Sequence, residues 1–487
     1  MATPRTIEHP TVKQRRKRGK EARQQVPPSG HAGWKPAADR PDPVALLEEQ
    51  DATREPDLVP VRHGRMMVSP FTFYRGAAKI MAADLKDTPR AGLMVQLCGD
   101  AHLSNFGLFA SPERILLFDL NDFDETLTGP FEYDVKRMSA SFTIAARNNG
   151  FSKSEAHEAT LASVNAYRTS MAEFAEMTTM DVWYARLTEE ELMEAISTFA
   201  QTEELDAPKK AAKKDAKQAK REEKGAKKIA AKARTRDSLQ ALSKLGELVD
   251  GRYRIVSQPP IIVPARDIDP ASYGLTADEL QHVLLEQLRA YRATLQPDRR
   301  HLLERFELID VARKVVGVGS VGTRAFIALL QGRDQQDPLF LQVKEATPSV
   351  LEDHLPKSRY KQPGERVVQG QRMMQAASDI YLGWTKGLQE NRYFYWRQLR
   401  DMKGSADVEV LRPSALAFYA HQCGWTLARA HARSGDPVAI TKYLGKGDGF
   451  DQSVTDFSER YADQNERDFK AFIEAIRSGR LTATEGV

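Results

Sequence analysis

Cysteine is nearly missing from this chain: Cys98 and Cys423 are the only two in 487 residues. That excludes a disulfide framework and a cysteine-built zinc site, and it fits a reducing cytoplasm. Long apolar runs are missing too. None reaches the ~18 residues that a membrane span needs, and the basic N-terminus lacks the apolar centre of a secretory signal. The Lys/Ala-rich stretch 205–236 contains no aromatic residue. It therefore has nothing on which a nucleic-acid base could stack, and specific nucleic-acid recognition is poorly supported.

What is present is an ordinary globular composition, 41% hydrophobic, in a chain long enough for two domains. Charge is segregated. Residues 1–25 carry eight Lys and Arg against two acids, and residues 209–236 carry thirteen against three. With a net charge of +4 overall, the rest of the chain is left at −12. The body is acidic and two appendages are basic. Residues 1–60, polar and Pro-rich, read as a disordered basic tail. Residues 205–236 read as a solvated helical insertion with almost no apolar stripe. Both suit non-specific contact with nucleic acid or an anionic surface.

The chemistry concentrates in Cys98–Glu125. CGDAHLSNFG is a polar loop bearing Asp100, His102 and Asn105. Ile115-Leu116-Leu117-Phe118 then has strand character and delivers Asp119, Asp122, Asp124 and Glu125. Carboxylates at this density repel one another unless a cation or a cationic partner holds them. Mg²⁺ suits one or two of them together with substrate phosphates. Taken alone, the stretch also fits an acidic surface hairpin or a Ca²⁺-binding turn. Asp122, Asp124 and Glu125 fit a second metal, a cationic substrate or ion pairs with Arg75 or Arg137. Arg75 itself, among aromatics in SPFTFYRG, reads first as a structural ion-pair partner and second as a phosphate contact.

A second anchor lies at 307–346. ELIDVARKVVGVGSVGTRAFIALLQG contains Gly317, Gly319 and Gly322 as G-x-G-x-x-G, with Ser320 among them. A dinucleotide site would need a helix after the glycines. Here β-type runs flank them, and Lys344 ends the next run, PLFLQVKEA. Glycines let backbone N–H groups approach phosphates, and a Lys neutralises phosphate charge. Glu365 is the expected carboxylate partner of Lys344, with Glu352 as alternate.

Asp100 and Asn105 stand five apart, and Asp119 follows at a strand end. This pattern resembles the catalytic and metal loops of the protein-kinase-like superfamily, closest to its aminoglycoside and choline phosphotransferase branch (H-G-D-x-H-x-x-N, then I-D). The resemblance implies Asp100 and His102 as catalytic residues and Asn105 and Asp119, with Asp122 beside them, as Mg²⁺ ligands. It implies Gly317, Gly319, Ser320, Gly322, Lys344 and Glu365 as the ATP-binding set. Cys98 stands where that branch has its first His. Asp134, in the G-x-P-x-x-D step, is implied to be a structural anchor. The adenine is implied to meet backbone near Gln398–Asp401.

The order is inverted, since the Gly-rich loop follows the catalytic loop by about 200 residues. SALAFYAHQCGWTLARAHARS, at 414–434, resembles the phosphotransferase helix that normally runs into the catalytic loop. A circular permutation is implied, with His431 as a structural helix-end residue. The motifs R-M-x-x-S-P-F-x-F-x-R-G, G-D-A-H-x-x-N-F-G and F-D-x-N-D-F-D-E are also similar to those of the bacterial family called domain of unknown function 2252, over about 60–440.

The expectation is an α+β, two-lobed, protein-kinase-like fold, circularly permuted, with a small antiparallel β lobe at 305–405. The larger helical lobe is made of 61–300 and 406–487. The expected activity is ATP- and Mg²⁺-dependent phosphoryl transfer to a hydroxyl of an unidentified acceptor, a cationic small molecule or a protein. Nucleotidyl transfer, a nucleotide-binding interaction module and an ATP-independent metal phosphohydrolase remain open.

Overall fold

The computed structural model describes residues 8–206, 212–269, 276–387, 391–399 and 402–486. They form an α+β protein in which a six-stranded antiparallel sheet stands over a larger helical body. Three two-stranded pairs accompany the sheet. β1 (Met94–Leu97) pairs with β4 (Leu127–Pro130), and β2 (Phe106–Ala110) with β3 (Leu116–Leu120). β5 (Gly246–Val249) pairs with β6 (Arg252–Ile255).

The large sheet has the order β11-β12-β10-β9-β8-β7. Its members are β7 (Ile262–Pro264), β8 (Glu307–Lys314), β9 (Ala325–Gln331), β10 (Pro338–Glu345), β11 (Gly383–Lys386) and β12 (Tyr393–Gln398). Along β10 the side chains alternate between faces. Leu339, Leu341 and Val343 pack with Tyr291, Leu295 and Leu303 on one face. Phe340 packs on the other with Ile327, Leu329 and Leu242. Lys344 has the parity of Phe340, and this face looks towards the helical body. The helix Pro363–Met374 sits between β10 and β11 in sequence and carries residues down to that body.

The helical body is built around Pro413–Ser434, which lies along Lys153–Glu176. The contact is so close that a Cβ on Gly424 would stand 2.3 Å from Ser163 O. Ser434 at the end of that helix accepts from the backbone N–H of Gln96 in β1 at 3.0 Å. The helix end therefore abuts the strand that leads into Gly99-Asp100. Among the described residues, no helix is long and apolar enough to cross a membrane.

Three expected boundaries need correction. The tail expected to be disordered over 1–60 is folded from residue 8, where description begins. Thr11 closes a capping box on Val12–Gln25. Gly19 and Ala22 of that helix are buried, and Arg23 donates to the carbonyls of Tyr443 and Leu444, both at 2.7 Å. Arg40 then bridges Asp84 and Asp468. The polar composition hid these anchors because two small residues and single buried cations, not an apolar stripe, make the contact.

The helix Ala212–Arg234 of the Lys/Ala-rich segment is also not wholly solvated, since Ala230 and Ala233 are buried against the body. Finally, the β lobe begins well before 305. β7 belongs to the sheet, the helix Ser238–Leu245 packs on one face of it, and Ala277–Ala293 covers its outer face. Pro264 is admitted because β7 is an edge strand.

Candidate functional site

The glycine-rich loop joins β8 to β9. Gly317 and Gly322 hold φ of +69° and +88°, where a side chain would be strained. The loop is not a free flap. Arg65 Nη1 donates to Gly317 O at 2.6 Å, Arg54 to Val321 O, and Glu55 N to Gly322 O at 2.7 Å. A Cβ on Gly319 would stand 3.0 Å from Arg75 O. The carbonyls of the loop are thereby engaged by the N-terminal segment 54–65.

Lys344 extends from β10 beneath this loop. Its ammonium lies 2.5 Å from Asp124 Oδ2, 3.3 Å from Ser320 Oγ and 3.9 Å from Asp122 Oδ2. Tyr395 O–H donates to the second oxygen of Asp124 at 2.7 Å. Burial would raise the Asp124 carboxyl, but Lys344 outweighs it and holds the group at about 2. Burial, then the neighbouring Asp124 charge, push Asp122 up. Burial would lower Lys344, but Asp122 and Asp124 hold it above its ordinary value, so it stays an ammonium.

The expected partner Glu365 does not fill that role. It sits in the first turn of Pro363–Met374, and the helix reaches the site through the next residue. Arg366 donates to the carbonyls of Asp124 and Thr347, both at 2.8 Å, and to Thr126 O at 2.5 Å. Glu352, the alternate, lies 3.8 Å from Arg366 Nε. Asp124, beyond the expected metal residues, is the carboxylate that meets Lys344.

The catalytic-loop residues stand opposite. Gly99 has φ +84°, and a Cβ there would fall 2.1 Å from Glu125 O, so only glycine allows the two segments to touch. Asp134 accepts from Cys98 N and Gly99 N at 2.8 and 3.0 Å and meets His431 Nε2 at 3.2 Å. Asp134 and His431 are therefore structural, as expected. Asp100 Oδ1 accepts from Arg137 Nε at 2.7 Å, and Arg137 lies 3.8 Å over the Tyr74 ring. His102 Nε2 is 3.8 Å from Asp100 Oδ2. Burial, then Arg75 and Arg137, keep His102 well below its ordinary value, hence neutral. Asn105 donates its amide nitrogen to Asp100 O at 2.6 Å, which leaves its amide oxygen for another partner.

Asp119 needs correction as a metal ligand. It is 1% exposed, pairs with Arg429, and accepts from Leu120 N and Ala376 N at 2.8 and 2.9 Å. Among the described residues, its oxygens accept only from partners inside the core. The carboxylate at the cleft is Asp122, three residues on, whose side chain is 33% exposed.

Asp100, His102, Asn105, Asp122, Asp124, Glu125, Gly317, Gly319 and Ser320 all line one cleft of about 420 Å³. Its volume is of the size that takes a small ligand. Near Gln398 the polar groups are engaged. Gln398 N donates to Asp379 at 2.5 Å, and Arg397 spans Gln342 Oε1 at 2.9 Å and Asn121 O at 3.2 Å. Arg400 and Asp401, also expected at an adenine, lie outside the described residues.

The donor set fits Mg²⁺ of one kind. Among the described residues, no group of three or more His, Cys, Asp or Glu converges on a metal position. Asp122, its charge opposed by burial and by Asp124, and the amide oxygen of Asn105 suit a cation that arrives with phosphate oxygens.

The model of a family described as an uncharacterized protein conserved in bacteria (DUF2252) matches residues 54–475. No curated protein matches, and no solved structure matches.

Proposed function

The chain belongs to the DUF2252 family of bacterial proteins, and from its cleft we propose that it transfers a phosphoryl group from a Mg²⁺-bound nucleoside triphosphate, ATP in the first instance, to a hydroxyl. One observation carries this reading. Lys344, beneath a glycine loop on the sheet, meets Asp124 of the acidic segment at 2.5 Å, which joins the two halves of the site beside the cleft. A polyphosphate in that cleft would lie between the glycine loop and the acidic segment. The resemblance to a permuted protein-kinase-like fold agrees with it, since the end of Pro413–Ser434 meets β1 just ahead of Asp100.

Asp100, fixed by Arg137, orients the acceptor hydroxyl and takes its proton as the new O–P bond forms and the bridging P–O bond of the donor breaks. Lys344 and the N–H groups of Gly317–Ser320 offset phosphate charge. Asp122 and Asn105 would hold Mg²⁺, which supplies charge neutralisation on the phosphates when bound.

A second reading is nucleotidyl transfer, favoured by the backbone N–H of Gln398 being taken by Asp379. A base that does not pair there lies elsewhere, and its position decides which phosphorus faces Asp100. The test is product analysis by mass spectrometry after incubation with ATP, Mg²⁺ and a pool of hydroxyl-bearing acceptors. The proposal expects ADP and a phosphorylated acceptor. It expects loss of both with Asp100→Asn and Lys344→Met, about 10²-fold or more for each. Pyrophosphate and a nucleotidylated product would replace it with the second reading. Metal-dependent phosphatase activity that survives Lys344→Met would replace it with an ATP-independent hydrolase.

A further inference from the structure

We infer that Arg75 binds the phosphate that faces Asp100, which in the reading above is the terminal phosphate of the triphosphate. The inference rests on that reading and adds a residue to it. As a sequence position, Arg75 reads first as a structural ion-pair partner. The geometry argues otherwise.

Among the described residues, the basic side chains in and beside the cleft are spoken for with one exception. Lys344 is held by Asp124, and Lys79 by Glu49 and Asp353 at 2.9 and 3.0 Å. Arg392 is held by Glu345 at 2.6 Å, and Arg54 donates to Val321 O. Arg137, just behind the cleft, is held by Asp100. Arg75 lines the same cleft, and among the described residues it has neither an ion pair nor a hydrogen-bond partner. Its Nε is buried and unsatisfied. An unpaired guanidinium donor away from water is costly unless a ligand completes it.

The place of Arg75 identifies the ligand. Its backbone carbonyl touches the tip of the glycine loop at Gly319. The carbonyl of the next residue is held by Arg62, which donates to Gly76 O at 3.0 Å and is paired with Asp51 at 2.7 Å. The guanidinium therefore projects from a fixed platform into the cleft that Gly319, Asp100 and His102 also line, where the charges of Asp100 and Glu409 act on it and it acts on His102. A phosphate there would be repelled by Asp100. Arg137 cannot offset the repulsion, being bound to Asp100 itself. Arg75 is the group available to do so, and a planar fork of donors matches phosphate oxygens. As charge moves between the phosphate and the bridging oxygen during transfer, it would be stabilised from that side.

The test is calorimetric titration of wild type, Arg75→Gln and Arg75→Lys with Mg²⁺–ATP and with Mg²⁺–ADP, alongside a melting curve for each. The expected result is that Arg75→Gln weakens ATP binding about tenfold or more, leaves ADP binding unchanged, and that Arg75→Lys lies between. Equal losses for both nucleotides, or none, overturn the inference while leaving the phosphotransfer reading in place. A wild type that binds neither nucleotide removes that reading and this one with it. Should Arg75→Gln fail to fold, Arg75→Lys decides alone, because charge without the fork should still separate ATP from ADP.

Discussion

Two aspartates three positions apart illustrate how single residues divide the work here. Asp119 is sealed in the core against Arg429, and Asp122 stands at the cleft. Breaking a buried pair leaves an uncompensated charge. Asp119→Asn should therefore cost about 3–5 kcal/mol of stability, read as a lowered chemical-denaturation midpoint. Asp122→Asn should melt close to wild type and lose Mg²⁺-dependent nucleotide binding. The opposite pattern, a stable Asp119→Asn that loses only metal dependence, would restore Asp119 to the metal site. Both aspartates follow the same apolar run, so strand character alone assigns neither. The partner that separates them, Arg429, is 310 positions away. The same holds for Lys344. Its need for a carboxylate is legible in the chain, but Asp124 and Glu365 are both chemically adequate, and only contact distance chooses between them.

Among elements, the glycine loop is the most informative. Its existence follows from local chemistry, since glycines between two runs of β-branched and apolar residues permit a tight β-turn with exposed N–H groups. What local chemistry does not reveal is the clamp. Arg65, from the helix Val59–Met66, and Arg54 and Glu55, from the turn that leads into it, hold carbonyls of the loop, so that the turn presents its N–H groups while its oxygens are occupied. Arg65→Ala should raise amide hydrogen exchange at 317–322 by an order of magnitude, about 1.4 kcal/mol of opening free energy, without altering exchange in β8 or β9. Exchange unchanged at the loop would mean that the clamp contributes nothing. The N-terminal helices were the elements least legible in sequence. Val12–Gln25 is basic and polar, and its docking depends on Gly19 and Ala22, which let it lie close on Pro437–Leu444. A close approach of small residues leaves no hydrophobic periodicity to find.

Across the whole molecule, the cleft lies between a sheet with its own two cores and a helical body with a much larger one. A triphosphate between the glycine loop and the acidic segment would tie these parts together. A ligand that binds only the folded state raises stability by mass action, by about 2.7 kcal/mol at a hundredfold excess over its dissociation constant. Mg²⁺–ATP should therefore raise the melting temperature, and chelation of Mg²⁺ with EDTA should abolish most of the rise. The Lys344→Met protein should show little rise in either case. A rise that is insensitive to EDTA would mean that Asp122 and Asn105 hold no metal.

Within the chain alone, turn chemistry and periodicity were enough to identify a glycine loop between strands, a Lys at the end of the next strand, and a polar loop followed by a carboxylate-rich strand end. Those features are set by neighbours within a few residues, where steric and hydrogen-bonding rules act directly. Tertiary structure alone decided which carboxylate meets Lys344 220 positions away, which aspartate is buried, how far the β lobe extends, and that Arg75 faces the cleft without a partner among the described residues. Charge pairing is short in space but unconstrained in sequence, so a chain rich in both signs offers many pairings, and only the packed backbone selects among them.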